Sequence, residues 1–185
     1  MNEPGPADTE RIAGVEVMLL RRLRDERGSF AETYRREWLR PGAPEMVQSN
    51  VSRSKAGVLR GPHFHRRQAD YWVFLEGRAF VALVDLRTGS STQRERLELI
   101  LDADEPQGLS IPPGVLHGFY AETDVILQYM VDHYFDGTDE FGVAWDDSDL
   151  GIHWPTDTPI LSDRDRSNPS LAEVLTDPPG MPSSR

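Results

Sequence analysis

The chain has 185 residues with 20 basic and 31 acidic side chains, and its net charge of −11 argues against nucleic acid or a membrane surface as a partner. Cysteine is absent, which excludes disulfides, zinc-thiolate sites and cysteine nucleophiles. Nowhere do about 18 apolar residues follow one another, and no basic segment followed by an apolar run opens the chain, so we expect a cytoplasmic protein.

The length favours one domain with a proper core, because a chain of this size buries roughly 70% of the surface that it exposes when unfolded. We expect this domain over residues 12–177. The two ends, residues 1–11 and 178–185, are rich in Pro, Gly and Ser and are expected to be flexible.

Short apolar segments predict the strands. In chain order they lie at residues 15–20, 71–75, 80–86, 97–101, 109–111 and 125–131. Clusters of Gly, Pro, Asp and Ser separate them, and no long amphipathic helical pattern lies between them. This arrangement favours an antiparallel sandwich or barrel over a parallel sheet with crossover helices.

Two short helices are also predicted. The first covers ETYRREWL at residues 32–39. The second starts at Asn168, because Pro169 suits the first helical position and the apolar segment LAEVL follows.

Five segments form a set of motifs. They are DERGSFAE (25–32), QSNVSRSKAGVLRGPHF (48–64), VDLRTGSST (84–92), IPPGVLHGF (111–119) and LSDRD (161–165). In order and approximate spacing they resemble the dTDP-4-dehydrorhamnose 3,5-epimerase (dTDP-4-keto-6-deoxyhexose epimerase) family, over about residues 12–175. The resemblance implies an all-β cupin fold, a double-stranded β-helix or antiparallel jelly-roll barrel with short peripheral helices. It also implies a homodimer that binds a nucleotide-linked sugar and uses no cofactor.

The implied reaction assigns roles to individual residues. Epimerisation beside a ketone needs a base for the α-proton, an electrophile for the enolate oxygen and an acid that returns a proton to the opposite face. By family position, His63 is the base, Asp165 its orienting carboxylate and Tyr129 the proton donor. The implied substrate-binding residues are Arg27, Phe30, Glu32, Gln48, Asn50, Arg60, His117, Glu140 and Arg164.

Each of these residues also has an ordinary structural explanation. A single histidine such as His63 is typical of a polar turn or a satisfied structural site, and Tyr129 alternates with Val125 and Val131 as a core tyrosine would. The surrounding motifs favour the catalytic interpretation.

The stretch HRRQADYW (65–72) departs from the family pattern. It is shorter by about three residues, and if Gln68 and Ala69 keep the register, Asp70 stands where the family has a lysine that stabilises charge at the ketone oxygen. A carboxylate about 4 Å from a developing enolate opposes it by ~4 kcal/mol at an effective dielectric constant near 20. That penalty corresponds to roughly a thousandfold in rate.

A metal-binding pattern overlaps the same stretch. His63, His65 and Asp70 follow the spacing of the first metal motif of metallo-cupins, and His117 takes the place of the last histidine ligand. Residues two apart on a strand share a face, so His63 and His65 can both point into the barrel. Such ligands suit one divalent transition metal, Fe, Mn, Ni, Zn or Cu. A metal-bound His63 is no longer a free base, and this role would pass to Tyr129 or His133.

The principal prediction is an isomerase. The enzyme would remove and return a proton next to the ketone of a nucleotide-linked 4-keto-6-deoxy sugar, in deoxysugar biosynthesis for rhamnose or an antibiotic. One alternative is a metal-dependent cupin enzyme (oxygenase, isomerase or cyclase) on the same scaffold. Another is a non-catalytic cupin that binds a sugar nucleotide without turning it over.

Overall fold

The computed structural model describes residues 6–7 and 11–176, and strands form most of the regular structure. The strands are β1 (Pro6–Ala7), β2 (Glu16–Leu19), β3 (Arg22–Asp25), β4 (Gly28–Ala31), β5 (Gln48–Ser54), β6 (Leu59–Phe64), β7 (Asp70–Glu76), β8 (Arg78–Asp85), β9 (Arg96–Asp102), β10 (Gln107–Ile111), β11 (Val115–Ala121), β12 (Val125–Val131) and β13 (Phe141–Gly142). The helices are α1 (Asp163–Arg166) and α2 (Leu171–Thr176), with 3-10 turns at Arg36–Trp38 and Ser148–Leu150.

Two antiparallel sheets enclose the main core. One sheet has the order β1-β2-β10-β7-β12-β5 and the other β13-β6-β11-β8-β9, while β3 and β4 form a separate hairpin. Side chains from both sheets, among them Trp72, Phe74, Val81 and Phe119, share one apolar cluster, so the sheets pack face to face. This arrangement confirms the predicted all-β jelly-roll barrel with short peripheral helices.

The predicted strands are all present, but the described part of the chain has seven further strands that were not predicted, β1, β3, β4, β5, β6, β11 and β13. Three of these seven line the candidate site. They are β5, β6 and β11, with the sequences QSNVSRS, LRGPHF and VLHGFYA. Their polar residues, glycines and proline break the apolar alternation that marks a half-buried strand. Several of the polar residues that break this alternation line the cavity described below.

The helix predicted at residues 32–39 is wrong, because only the 3-10 turn Arg36–Trp38 forms there. Tyr34, Trp38 and Leu39 have helix-like spacing, but they pack beneath the first sheet against Met18 and Tyr71 from a mostly extended backbone. Tertiary packing therefore overrides the local helix propensity of residues 32–39.

The C-terminal helix forms, but it begins at Leu171 instead of Asn168. Ser170 Oγ accepts a hydrogen bond from the Glu173 amide, and Glu173 accepts one from the Ser170 amide. This reciprocal pair is a capping box, and it sets the first turn after Ser170.

The predicted flexible ends lie almost entirely outside the described residues. The described part of the N-terminal end is β1, which pairs with Met18 and Val17 of β2. Among the described residues, no helix is long and apolar enough to cross a lipid bilayer.

Candidate active site

A cavity of about 450 Å³ opens between the two sheets. Strands β5, β7 and β12 of one sheet and β6 and β11 of the other supply most of its wall, and the segments around Glu140 and α1 complete it. The lining residues are Gln48, Asn50, Ser52, Arg60, His63, His65, Gln68, Asp70, Trp72, His117, Phe119, Leu127, Tyr129, Val131, Phe135, Glu140, Ser162, Arg164 and Asp165. Its size lies within the range typical of small-molecule sites.

Strand register brings the site residues together. His63 on β6 is the pairing partner of His117 on β11. Tyr129 on β12 pairs with Trp72 on β7 and with Asn50 on β5. Because alternate residues of a strand face the same side, several residues two positions away also line the cavity, among them His65, Asp70 and Leu127.

Gly61 allows β6 to approach β11 closely. Its φ of +84° lies in the left-handed region, and a Cβ there would lie 2.9 Å from the His63 amide nitrogen and 3.0 Å from the His117 carbonyl oxygen. A larger residue would separate the strands that carry the two histidines.

His63 lies between two carboxylates. Its Nε2 donates a hydrogen bond to Asp165 Oδ1 at 2.6 Å, and its Nδ1 lies 3.3 Å from Glu140 Oε1. Asp165 is buried in the first turn of α1, where its other oxygen accepts a hydrogen bond from the hydroxyl of Ser162, the N-cap residue. The contact with Asp165 fixes the ring orientation and leaves Nδ1 as the nitrogen that can take a proton.

Both carboxylates around His63 are held in the ionised form. Burial works to raise the pKa of Asp165, but hydrogen bonds from His63 and Ser162 outweigh it and hold the pKa below its usual value. Burial opposes ionisation of Glu140 as well, but the hydrogen bond from Arg164 and the nearby His63 keep its pKa low. The site is therefore arranged to stabilise an imidazolium when His63 takes a proton.

Tyr129 is suited to donate a proton from inside the cavity. Its half-buried position raises its pKa, and the negative charges of Asp70 and Glu140 raise it further. The phenol therefore keeps its proton at neutral pH and can donate it to a carbanion or enolate.

Polar and cationic groups line the same cavity. Gln48 donates a hydrogen bond to the Asn50 side-chain oxygen at 2.9 Å, and Arg60 is held by Ser54 Oγ at 2.7 Å. Arg164 binds Glu140 Oε2 at 2.6 Å. Arg60 and Arg164 supply the guanidinium groups of a cavity that also holds the carboxylates of Asp70, Glu140 and Asp165, and a guanidinium can bind an anionic group in a bidentate manner.

A second cluster lies in the wall of the cavity and consists of His65, Asp70 and His117. One ligand-type atom from each residue lies within 4.8 Å of the others. Burial lowers the pKa of His117 to about 4, despite the opposing charge of Asp70. His63, the fourth predicted metal ligand, lies outside this cluster because its two ring nitrogens face Asp165 and Glu140.

Three predicted binding residues do not reach the cavity of their own chain. Arg27 and Phe30 line a separate cleft on the β3–β4 hairpin, where Phe30 is 63% exposed and Arg27 pairs with Asp25. Glu32 follows the hairpin and pairs with Arg35.

Sequence reasoning missed other lining residues, chiefly Trp72, Gln68 and Ser52. Trp72 lies in a segment predicted as a buried strand, and its indole donates a hydrogen bond to Asp70 at 3.0 Å. The available signal was strand alternation, since Asp70 and Trp72 are two residues apart and share a face.

Fold and site together define a class of protein, the cupin barrels that move protons with side chains inside the barrel. The family model for dTDP-4-dehydrorhamnose 3,5-epimerase matches residues 9–173, and the chain belongs to this family. The members of this family are isomerases that remove and return a proton without a cofactor. This agrees with the principal prediction of an isomerase.

Named relatives cover most of the chain. The dTDP-4-dehydrorhamnose 3,5-epimerase of Sinorhizobium fredii is 34% identical over 171 residues, 88% of each chain. The Streptomyces griseus protein of the same name is 37% identical over 171 residues, 88% of this chain and 85% of that one.

Solved structures agree with this assignment. NovW, a 4-keto-6-deoxy sugar epimerase from the novobiocin gene cluster of Streptomyces spheroides, has a TM-score of 0.86 at 33% identity and covers 98% of this chain and 92% of its own. The Legionella pneumophila dTDP-6-deoxy-D-glucose-3,5-epimerase, solved with dTDP-4-keto-L-rhamnose, has a TM-score of 0.89 at 29% identity, with coverage of 99% and 100%.

Proposed function

We propose that the protein epimerises a nucleotide-linked 4-keto-6-deoxy sugar at a carbon next to the ketone. The observation that carries the proposal is the part-buried His63–Asp165 pair, which lines the same cavity as Tyr129. One group can accept a proton and the other can donate one, as inversion at carbon requires.

The reaction would proceed by proton abstraction. His63 Nδ1 takes the α-proton, and the electrons of the broken C–H bond form an enolate with the C4 oxygen. Asp165 and Glu140 stabilise the imidazolium, and Tyr129 donates a proton to the other face of the carbon, which restores the ketone with inverted configuration. Solvent then returns a proton to Tyr129 and removes one from His63.

Substrate binding would use the polar groups of the cavity. Arg60 and Arg164 suit the diphosphate, because a guanidinium can bind phosphate oxygens in a bidentate manner. Gln48 and Asn50 suit the sugar hydroxyls. The Legionella relative was solved with a dTDP-linked ketosugar, which supports this class of ligand.

We infer that the active unit is a homodimer. Leu23 and Phe30 expose apolar surface on the β3–β4 hairpin, and the predicted binding residues Arg27, Phe30 and Glu32 lie away from the cavity of their own chain. Docking of this hairpin on a second copy would carry them to the partner's cavity. Light scattering should give a dimer, and a monomer at assay concentration would contradict this inference. A cytoplasmic location stays a prediction.

The decisive experiment is isotope exchange on dTDP-4-keto-6-deoxyglucose in D2O. We expect deuterium at C3 or C5 by mass spectrometry with the native protein, and loss of that uptake with His63→Asn. A matched control is His153→Asn, because His153 is an exposed histidine beside Glu98, away from the cavity. No uptake above the enzyme-free rate would refute the proposal.

A second candidate, a non-catalytic protein that binds a sugar nucleotide, is favoured by the position of Asp70 in the cavity wall. Its negative charge would oppose enolate formation. This candidate predicts thermal stabilisation by dTDP together with no turnover of any 4-ketosugar.

A further inference from the structure

The cluster of His65, Asp70 and His117 has no part in the proton transfers between His63 and Tyr129. Its members are only 8%, 4% and 6% exposed, respectively, yet all three line the cavity. Ionisable groups buried to this degree need partners for each of their polar atoms. The partners found in the structure account for only some of these atoms.

Backbone carbonyl groups fix the orientation of both imidazoles. His65 Nδ1 lies 2.6 Å from the Asp139 carbonyl oxygen, and His117 Nδ1 lies 2.9 Å from the Val115 carbonyl oxygen. A carbonyl oxygen can only accept a hydrogen bond, so both Nδ1 atoms carry the proton and donate it. In the neutral rings, both Nε2 atoms therefore present lone pairs.

These two Nε2 atoms face the same carboxylate. His65 Nε2 lies 3.9 Å from Asp70 Oδ1, and His117 Nε2 lies 3.9 Å from Asp70 Oδ2. Both distances are too long for hydrogen bonds. They exceed by only about 0.5 Å the separation of about 3.4 Å between two ligands on a tetrahedral ion with bonds of about 2.0–2.2 Å, so a small side-chain shift would let the three residues share one ion.

Neighbouring side chains hold the carboxylate in place. Gln68 Nε2 donates a hydrogen bond to Asp70 Oδ1 at 2.8 Å, and Trp72 Nε1 donates one to Asp70 Oδ2 at 3.0 Å. Each oxygen keeps further lone pairs for another partner. Hydrogen bonds of two kinds commonly orient metal ligands. Donors hold a ligating carboxylate, and the histidine nitrogen that does not bind the metal donates to a fixed acceptor.

We propose that His65, Asp70 and His117 form a binding site for a divalent transition-metal ion. The ligands are the Nε2 atoms of the two histidines and an oxygen of Asp70. Two imidazoles with one carboxylate suit Zn²⁺, Fe²⁺, Mn²⁺ or Ni²⁺ better than Ca²⁺ or Mg²⁺, which prefer oxygen ligands. Three protein ligands leave positions on the ion open toward the cavity.

The site also bears on the proposed epimerisation, and this part of the inference rests on that function. An ion at Asp70 would offset the carboxylate charge that otherwise opposes enolate formation. It would also place a Lewis acid in the cavity where a substrate oxygen can bind. His63 stays free to act as the base, because it lies outside the cluster.

Metal binding can be measured without substrate, using Co²⁺ as the probe. The purified full-length protein is stripped with a chelator, dialysed and titrated with Co²⁺, while its visible absorption spectrum is recorded. We expect one equivalent to bind with the stronger bands of a four- or five-coordinate ion. Zn²⁺ should displace it, and elemental analysis should give one metal per chain. A spectrum that stays as weak as that of aqueous Co²⁺ would overturn the proposal.

Variants identify the ligands. His65→Asn and Asp70→Asn should each weaken Co²⁺ binding by at least about 100-fold, more than the loss of a residue that only orients a ligand. His63→Asn and His153→Asn should bind Co²⁺ as the native protein does, and circular dichroism checks that each variant is folded. Equal loss with His63→Asn, or undiminished binding in folded His65→Asn, would refute the assigned ligands.

The two proposals can fail separately. Co²⁺ binding without deuterium exchange would leave the metal site standing and refute epimerisation of the tested sugar. Deuterium exchange by a metal-stripped protein that binds no Co²⁺ would leave the epimerase standing and refute the metal site.

Discussion

The contact between Asp165 and His63 is the feature on which the proposed proton abstraction most depends. Replacing Asp165 with asparagine preserves the shape of the side chain but removes its charge. Asp165 is buried, and its oxygen lies 2.6 Å from His63 Nε2, so solvent cannot readily take the place of the lost partner. We expect the variant to fold and to lose activity.

The size of the loss follows from the hydrogen bond. A hydrogen bond to a charged group contributes about 1.5–3 kcal/mol, and each 1.4 kcal/mol corresponds to tenfold in rate. The expected fall in kcat/KM is therefore about 10- to 150-fold. The asparagine amide can also donate to Nε2, which favours the ring tautomer with its proton on Nδ1 and moves the loss toward the upper end of this range.

The assay is deuterium uptake and product formation on dTDP-4-keto-6-deoxyglucose, measured as kcat and KM. Glu140→Gln is the matched control, because Glu140 is the other carboxylate beside His63 but lies farther away, at 3.3 Å. Native activity in folded Asp165→Asn would refute the assignment. A larger loss in Glu140→Gln than in Asp165→Asn would make Glu140 the orienting carboxylate.

Other predictions test separate parts of the molecule. Tyr129→Phe should retain deuterium exchange by His63 but form inverted product about 100-fold or more slowly, because the opposite face of the carbon loses its acid. Equal losses of exchange and inversion would contradict this division of roles. Arg60→Ala should raise KM about 10-fold or more for the nucleotide sugar with a smaller effect on kcat, whereas an unchanged KM would remove Arg60 from the diphosphate site. Asp85→Ala should lower the free energy of unfolding by about 3–5 kcal/mol in urea denaturation, because it leaves the largely buried Arg87 unpaired. Burial opposes ionisation of Asp85, but hydrogen bonds from Arg87, Ser90 and Thr92 hold its pKa below the usual value. The contribution of ionised Asp85 to the free energy of unfolding is therefore present above about pH 4 and is lost as the pH falls through the lowered pKa. The native protein should lose more stability on acidification than the Asp85→Asn variant.

The sequence alone was sufficient for the fold class and for selecting His63 and Asp165 as the candidate catalytic pair, which the structure brings into contact. The apolar segments at residues 71–75, 80–86 and 125–131 are a local property of the sequence, since short apolar segments must be buried in a core. His63 and Asp165 were found by motif, because their chemistry depends on residue type within short segments. The departure at Asp70 was also visible in the sequence, and its assignment to the family lysine position holds if Gln68 and Ala69 keep the register.

Only the tertiary structure decided which of these residues meet. His63 and Asp165 are 102 positions apart, and their contact depends on the register of β6 against β11 and on the position of α1. The sequence placed His63 and His65 together as metal ligands. In the folded protein, Asp165 and Glu140 engage His63, while His65 joins Asp70 and His117. The spacing of residues along one strand determines which of them share a face. The orientations of the imidazole rings depend on partners from distant segments of the chain, and a local sequence pattern does not specify those partners.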